Sequence, residues 1–413
     1  MNTSSNIIKC DLAIIGGGPA GASLALLSAK AGFKTVLVDA RDPRGAPIRD
    51  GRNFAIVRGS WRLLEAAGIA DALVGTAQPL NGLEAVDGGT HFFGAPSVLF
   101  ANEDLSKVGE TLGYMIEAQK MLPVLSAAVA NQSGLQSFAP DTFDGFDVKP
   151  AHVEIKLGSG QVIQASLLAG CDGVNSPVRT AAEIPVEGRA YGKSVFAANV
   201  TLSRPHGGIA RQLFTPEGPF ATLPLVGDRA NLAWYMKSGA AETLAKLSSP
   251  EIEAELNSRF AEFSGEMTLD GPAISYPLHL KIAESMIADR VALLGDAARR
   301  INPLAGQGLN LGFKDVAALV EIMCDARYEG LDIGAPTVLV RYQQWRRFDA
   351  NATALAMDGI DRVFSNDSNA LKPLRGLALS LANQVGPLRK LMARQASAGQ
   401  SNLPKLLRGE PVW

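Results

Sequence analysis

Cysteine is scarce. Three residues, Cys10, Cys171 and Cys324, are spread over 413 positions. They are odd in number and far apart, so they form neither a disulfide framework nor a metal-ligand spacing, and a reducing, cytoplasmic compartment is expected. Histidine is hardly commoner: His91, His152, His206 and His279 stand alone and each reads as structural or exposed. No Ser-His-Asp, metal or thiol-nucleophile constellation can be assembled, and no general base stands out. No sign of charge dominates, and a net charge of −2 gives no case for nucleic acid as a partner. No window offers about 18 uninterrupted apolar residues, so no transmembrane span is expected. The N-terminus "MNTSSNIIKCDLAIIGGG" lacks a basic n-region and enters a strand directly, so no signal peptide is expected. What is present, 47% hydrophobic and 19% charged residues, suits a soluble globular enzyme of about two or three domains.

The stretch "CDLAIIGGGPAGASLALLSAKAGFKTVLVDA" carries the most information. Leu12 to Ile15 is a short apolar run, as expected of a parallel strand buried on both faces. Gly16, Gly18 and Gly21 satisfy G-x-G-x-x-G: the first permits a tight turn, the second lets backbone approach a pyrophosphate, and the third lets helix and strand pack closely. Ala20 to Lys30 reads as a helix closed by Gly32, and its free N–H groups would hold phosphates. Lys34 to Val38 reads as a second strand. Asp39 then stands 23 residues after Gly16, where an acid can bind a ribose hydroxyl pair. A carboxylate there favours an adenosine without a 2′-phosphate, hence FAD or NAD.

Two later segments repeat part of this grammar. "LLAGCDGVNSPVR" (167–179) is an apolar strand end followed by Asp172-Gly173, with Ser176-Pro177 starting a helical turn. In "VALLGDAARRINPLAGQGLN" (291–310), a buried strand over Val291 to Leu294 leaves Asp296 at its carboxyl end. Gly306 and Gly308 then open a helix with apolar residues at Leu309, Phe313, Val316, Ala317 and Val320. A single such turn holds only the adenine-side half of a dinucleotide. Asp296 can accept from a ribityl hydroxyl, and the helix start would face the flavin ring and stabilise negative charge on it.

Together these segments resemble the FAD-dependent aromatic hydroxylases of the p-hydroxybenzoate hydroxylase-like fold, and within them the ubiquinone-biosynthesis flavin hydroxylases. The likeness extends over nearly the whole chain, through "DGRNFAIVRGSWRLLEAAGI", "LGYMIEA", "YGKSVFAANV", "FTPEGPFATLPL", "YQQWRRFDA" and "LPKLLRG". It implies non-covalent FAD held by Gly16, Gly18, Gly21 and Asp39 at the ADP half. Arg52 would lie near the flavin and Gln119 would contact the cofactor. Asp172 and Asp296 would serve the phosphate–ribityl region, and Pro303 with Gly306, Gln307, Gly308, Leu309 and Asn310 would line the ring. The implied reaction is hydroxylation of a prenylated phenol by O₂ through a flavin C4a-hydroperoxide, with NADH or NADPH as a transient reductant. Pro303, Gly306 and Gly308 would form the oxygen-side wall. Other ubiquinone-biosynthesis proteins are implied as partners. Four positions depart from the group: Arg299 stands where histidine is usual, Arg300 and Asn302 are also unusual, and Ala118 replaces a common asparagine. No W-x-W-x-I-P segment of a flavin halogenase is present. A hydroxylase of another aromatic metabolite, or a flavin-holding assembly subunit with little turnover, remain the alternative readings.

The expected fold class is α/β: a Rossmann-type FAD-binding domain with an inserted antiparallel-sheet substrate domain and C-terminal helices. The FAD-binding domain is expected over 1–78, 104–187 and 284–360, the substrate domain over 79–103 and 188–283, and a helical region over 361–413. Between Tyr191 and Leu280, short strand-like runs are bounded by Gly, Pro and Asp, with a hairpin turn at Val226 to Arg229. Ser249-Pro250-Glu251 reads as N-cap, N1 proline and first-turn acid of a helix reaching Phe263. Phe214, Phe220, Leu223, Trp234 and Tyr276 are candidates for the substrate pocket, although alternating aromatics are commonly core. From Ser368 to Gly409 there are seven basic residues and no acid. The plain expectation is helices docked on the body; the sharper one is a peripheral contact with the inner face of an anionic membrane.

Overall fold

The computed structural model describes residues 7–45, 51–88, 97–101, 111–300, 307–347 and 403–413. Strand β1 (Ile8–Ile15) feeds helix α1 (Pro19–Lys30) and returns as strand β2 (Thr35–Val38). Next come strand β3 (Asn53–Val57) and helices α2 (Arg58–Ala67) and α3 (Ala70–Val74). Strands β4 (Gln78–Leu80), β5 (Gly82–Asp87), β6 (Ser97–Ala101) and β7 (Gly113–Glu117) precede helix α4 (Ala118–Asn131). Strands β8 (Leu135–Phe138), β9 (Phe143–Val148), β10 (Val153–Leu157) and β11 (Val162–Gly170) lead to helix α5 (Pro177–Ala181).

A second group begins with the long strand β12 (Val186–Leu202) and continues with β13 (Ile209–Thr215), β14 (Gly218–Pro224) and β15 (Arg229–Lys237). Helices α6 (Ala240–Leu244) and α7 (Ser249–Ser264) follow, then β16 (Met267–Leu269) and β17 (Ile274–Ala283). The chain re-enters the first sheet through β18 (Ile287–Ala288) and β19 (Val291–Leu293). It then passes through β20 (Arg299–Arg300) to helix α8 (Gln307–Tyr328).

In the nucleotide sheet β8, β2, β1, β11 and β19 lie side by side and parallel, with β1 near the middle. Leu12, Ala13 and Ile14 are fully buried, as the apolar run requires. Helix α1 is buried at every position from Gly21 to Ala29 because α4, α2 and α8 pack around it over the sheet. Gly158 and Gly160 fall in the hairpin between β10 and β11, which is antiparallel.

The other large sheet runs β20-β17-β12-β15-β14-β13-β5-β6. It is antiparallel except where β5 lies parallel to β13, so the 79–103 region joins it through one parallel pairing that was not expected. Helices α6 and α7 cover one face, where Phe196, Phe220, Leu232 and Trp234 pack with Ile252, Leu256 and Phe260. The N-cap of α7 is Ser248 rather than the expected Ser249: Glu251 closes a capping box with Ser248, and this places the proline one residue further into the first turn. A third sheet, β3-β7-β4, lies between the two.

At the C-terminus, Leu403, Leu406 and Leu407 are buried against α2 and α8, and the Lys405 N–H donates to Glu321 at 2.7 Å. This end of the basic stretch therefore turns its apolar residues inward. Residues 368–402 of that stretch lie outside the described residues. Among the described residues, no helix is long and apolar enough to cross a membrane.

Candidate cofactor site

Three turns meet at the carboxyl ends of adjacent parallel strands. Ile15 is in register with Gly170, and Gly170 with Leu293, so β1, β11 and β19 end level. Cys171 N–H donates to the Ile15 carbonyl at 2.8 Å and Leu294 N–H to the Gly170 carbonyl at 2.9 Å, joining each turn to the next. Arg179 ties the second to the third: it is buried, and its Nη1 donates to the Ala297 carbonyl at 2.8 Å. Ligands of open α/β sheets bind at such an edge.

Each glycine of the first turn has its own reason. Gly16 has φ of +104°, and a Cβ there would overlap the Cys171 carbonyl. A Cβ on Gly21 would overlap the Gly16 carbonyl oxygen, so helix and strand touch through this residue. Gly18, the N-cap of α1, has φ of −66°, and a Cβ there would meet nothing within 4 Å. Open space therefore lies in front of the unpaired N–H groups of the helix start. The Asp39 carboxylate accepts from Gly17 N–H and, at 2.7 Å, from Arg41 N–H, which fixes it at the rim of that space.

In the second turn, Oδ2 of Asp172 accepts from Val178 N–H at 2.9 Å, and Ser176 caps α5 by accepting from Arg179 N–H. Oδ1 of Asp172 is buried with no partner among the described residues. Burial pushes this carboxyl up, and the hydrogen bonds from Ser176 and Val178 act against that rise. In the third turn, Gly295 has φ of +57° and Asp296 is solvent-accessible within a recess. Burial of that recess pushes the Asp296 carboxyl up, while Arg300, Arg52 and Arg299 pull it down.

Two hollows adjoin here. The larger, about 590 Å³, is lined by Gly16, Gly18, Asp39, Arg52 and Asp172 among others. The smaller, about 360 Å³, shares Asp39 and Arg41 and adds Gln119, whose amide donates to Glu117 at 3.0 Å. Arg52, which lines the larger hollow, helps pull the Asp296 carboxyl down. A cradle that a Gly18 side chain would fill, a carboxylate at its rim and an orphaned buried Asp172 oxygen fit the diphosphate, ribose and polyol of FAD.

Some expected residues are placed differently. Asn310 is buried; its Oδ1 accepts from Val57 N–H at 3.1 Å and its Nδ2 donates to the Ala55 carbonyl at 2.7 Å. Its side chain thus fastens the start of α8 to β3. Leu309 packs against the main core, and Gly308 faces open space. Pro303, Gly306 and the side chain of Gln307 lie outside the described residues.

Of the five pocket candidates, Phe220 and Trp234 are corrected to core. Phe220 stacks on Phe260 with ring centres 3.7 Å apart, and Trp234 meets Phe260 edge-on at 4.9 Å, both beneath α7. The reason is strand alternation: α7 covers the face to which both point. Leu223 packs toward the three-stranded sheet. Phe214 is buried beside Leu213, one step along β13 and so on the opposite face from α7. Tyr276 lies with Val195 and Tyr235, also opposite α7; burial raises its hydroxyl and the nearby Arg300 lowers it.

Sequence reasoning missed three kinds of residue. Asp315 is fully buried between Arg299 and Arg346, an arrangement that an acid amid the apolar residues of α8 could have signalled. Arg229 binds Glu117 at 3.0 Å and Asp270 at 2.6 Å, linking the substrate sheet to the strand before Gln119. Asn199 accepts from Asn53 across the same seam and from Asn231 on the neighbouring strand of its own sheet, and nothing local marks it.

The chain matches the model of an FAD binding domain over residues 9–353. It is 35% identical over 408 residues to a ubiquinone hydroxylase, UbiL, of Rhodospirillum rubrum, covering 97% of this chain and 93% of the relative. It is 33% identical over 392 residues to 3-demethoxyubiquinol 3-hydroxylase of Escherichia coli, covering 94% and 98%. Its fold superposes on p-nitrophenol 4-monooxygenase PnpA of Pseudomonas putida with a TM-score of 0.78, at 19% identity over 94% and 97% of the two chains.

Proposed function

This chain belongs to the ubiquinone-biosynthesis group of FAD-dependent aromatic hydroxylases, and from that premise we propose that it hydroxylates the ring of a prenylated phenol, with O₂ as co-substrate and NADH or NADPH as reductant. The observation that carries this reading is the level ending of β1, β11 and β19, which brings Gly16, Asp172 and Asp296 to one edge. FAD, when bound, supplies the two-electron reduction and the activation of oxygen. Gly18 and the start of α1 would hold the diphosphate, Asp39 the adenosine ribose, and Asp172 with Asp296 the polyol. Arg52 and Gln119 would position the remainder. Pro303, Gly306 and Gly308 are assigned to the oxygen-side wall. Phe214 and Tyr276, on the sheet face opposite α7, are assigned to substrate contact, where they would exclude water. We assign the two large sheets to cofactor and substrate domains. Other proteins of the pathway, and a peripheral contact of the basic 368–402 stretch with an anionic membrane, are part of the same proposal.

The test is direct. Purified protein loaded with FAD is mixed with a short-chain prenylated phenol and each nicotinamide nucleotide in turn. Phenol-dependent nucleotide oxidation with a product one oxygen heavier is expected. A flavin-loaded preparation that oxidises neither nucleotide with any phenol would favour the assembly-subunit reading. Mass spectrometry of quinone intermediates after gene deletion would name the ring position.

A further inference from the structure

Glu117 ends β7 and is 6% exposed. Arg229 of the substrate sheet grips its carboxylate with two nitrogens: Nη2 donates to Oε1 at 3.0 Å and Nη1 to Oε2 at 3.2 Å. Gln119 Nε2 donates to Oε1 of the same carboxylate at 3.0 Å. We propose that Arg229 and Glu117 are positioning residues for the cofactor. Arg229 holds the Glu117 carboxylate, and that carboxylate turns the Gln119 side chain so that its amide oxygen is the group offered to FAD. This deepens the proposed function and rests on it.

The fold brings these side chains together at one seam. Arg229 opens β15, and Asn231, Ala233 and Tyr235 follow it at alternate positions on the same face. Tyr235 packs with Tyr276, so Arg229 lies on the sheet face opposite α7, the one assigned to substrate. Its Nε donates to Asp270 at 2.6 Å, and Asp270 N–H donates to the Asn199 carbonyl at 2.8 Å, which braces the guanidinium from behind. A second stitch lies beside the first. Asn53 is in register with Glu117, and its Nδ2 donates to Asn199 at 2.9 Å. On the cofactor side, Gln119 stands in the first turn of α4 and borders the smaller hollow with Asp39. Ala118 N–H donates to the Arg52 carbonyl at 2.9 Å, and Arg52 borders the larger hollow. The seam therefore fixes the backbone beside both hollows.

Hydrogen-bond chemistry explains why a carboxylate stands at position 117. A carboxamide carries an oxygen on one side and an NH₂ on the other, and either can face a ligand. An ionised carboxylate only accepts, so beside it the NH₂ of Gln119 turns inward and the oxygen is left to accept from a ligand. A carboxyl as buried as Glu117 stays ionised when a charged group is paired with it, and Arg229 does this in bidentate geometry. Without Arg229 the carboxyl either swings toward water or takes up a proton. A protonated carboxyl can donate, and the orientation of Gln119 is then no longer fixed. The hydroxyl and N–H groups of FAD are the donors that the amide oxygen would meet.

The experiment titrates FAD into full-length, cofactor-free protein by flavin fluorescence, with melting of each sample alongside. Wild type is compared with Q119L, R229M and E117Q, and with the double variants R229M/Q119L and E117Q/Q119L. Q119L should bind FAD about threefold to tenfold more weakly, the worth of one neutral hydrogen bond. R229M and E117Q should each lose affinity in the same range. E117Q does so because a carboxamide at that position donates as readily as it accepts, and it serves if R229M does not fold. In the Q119L background neither substitution should weaken FAD binding further, although R229M should still lower the melting temperature. A merely structural seam would instead weaken FAD binding equally in both backgrounds. Wild-type affinity in Q119L, wild-type affinity in both R229M and E117Q, or losses that multiply in the double variants would overturn the proposal. Wild-type protein separates the two levels. If it takes up no FAD, the proposed function fails and the positioning role with it; if it does and any of those results appears, only the positioning role fails.

Discussion

Replacing Gly18 by alanine separates the fold from the cofactor. The backbone there has φ of −66° and ψ of 179°, which alanine adopts without strain. The added methyl meets nothing within 4 Å. Gly→Ala at a compatible position stabilises by about 0.4–1 kcal/mol through the unfolded state, so the cofactor-free G18A protein should melt no more than about 2–4 °C above wild type. The same methyl occupies the space in front of α1 into which a diphosphate must come. Hydrogen bonds to a charged group are worth about 1.5–3 kcal/mol each, so holding the diphosphate off by a methyl radius should weaken FAD binding about tenfold to a hundredfold. The assay is titration of cofactor-free protein with FAD by flavin fluorescence, with melting of the same samples. G16A is the contrast: its φ of +104° and overlap with the Cys171 carbonyl should destabilise the protein even without FAD. Wild-type affinity in G18A, or a cofactor-free G18A protein less stable than wild type, would refute this reading of the cradle.

Three further outcomes are expected. R229M should lower the melting temperature at pH 7 by leaving the buried Glu117 carboxylate without its charged partner, at a cost of about 1–3 kcal/mol. Burial alone would raise the Glu117 carboxyl, but the hydrogen bonds and charge of Arg229 hold it below its ordinary value. The stabilisation is therefore full above the unfolded value and lost as pH falls through the folded one. The gap between wild type and R229M should accordingly close below about pH 4.5 in melting curves. W234F should melt lower than wild type, because it opens space beside Phe260, yet leave KM for the phenol unchanged; a raised KM with native stability would return Trp234 to the pocket. Binding to anionic liposomes, followed by flotation, should fall when Arg389, Lys390 and Arg394 are changed to glutamate, and unchanged binding would count against the membrane contact.

The β1–α1–β2 unit was legible because every link in it is local: a buried strand, glycines whose spacing fits one turn, and an acid at the next strand end. Its boundaries were right within one residue where apolar run and turn chemistry coincide; only the start of β1, at Ile8 instead of Leu12, was missed. The second and third turns were legible as strand ends carrying Asp172 and Asp296, but their adjacency depends on the pairing of β1 with β11 and of β11 with β19, over more than a hundred residues each time. Face assignment in the substrate sheet failed for Phe220 and Trp234. Alternation identifies the two faces of a strand without saying which one a helix such as α7 will cover. The role of the Asn310 side chain was not legible for a related reason: a polar residue at a helix start can serve a ligand or a neighbouring strand, and the partner strand β3 lies 253 residues away. Arg299 looked like a defect in a familiar motif, and only the fold reveals that Asp315 and Arg346 close around it.

The central claim is that one extended FAD lies across all three strand ends. A crystal structure of the protein with FAD bound tests it most directly. The diphosphate is expected against Gly18, the adenosine ribose on Asp39 and the polyol between Asp172 and Asp296. Density for FAD confined to the Gly18 turn, with Asp296 out of contact with it, would contradict the account.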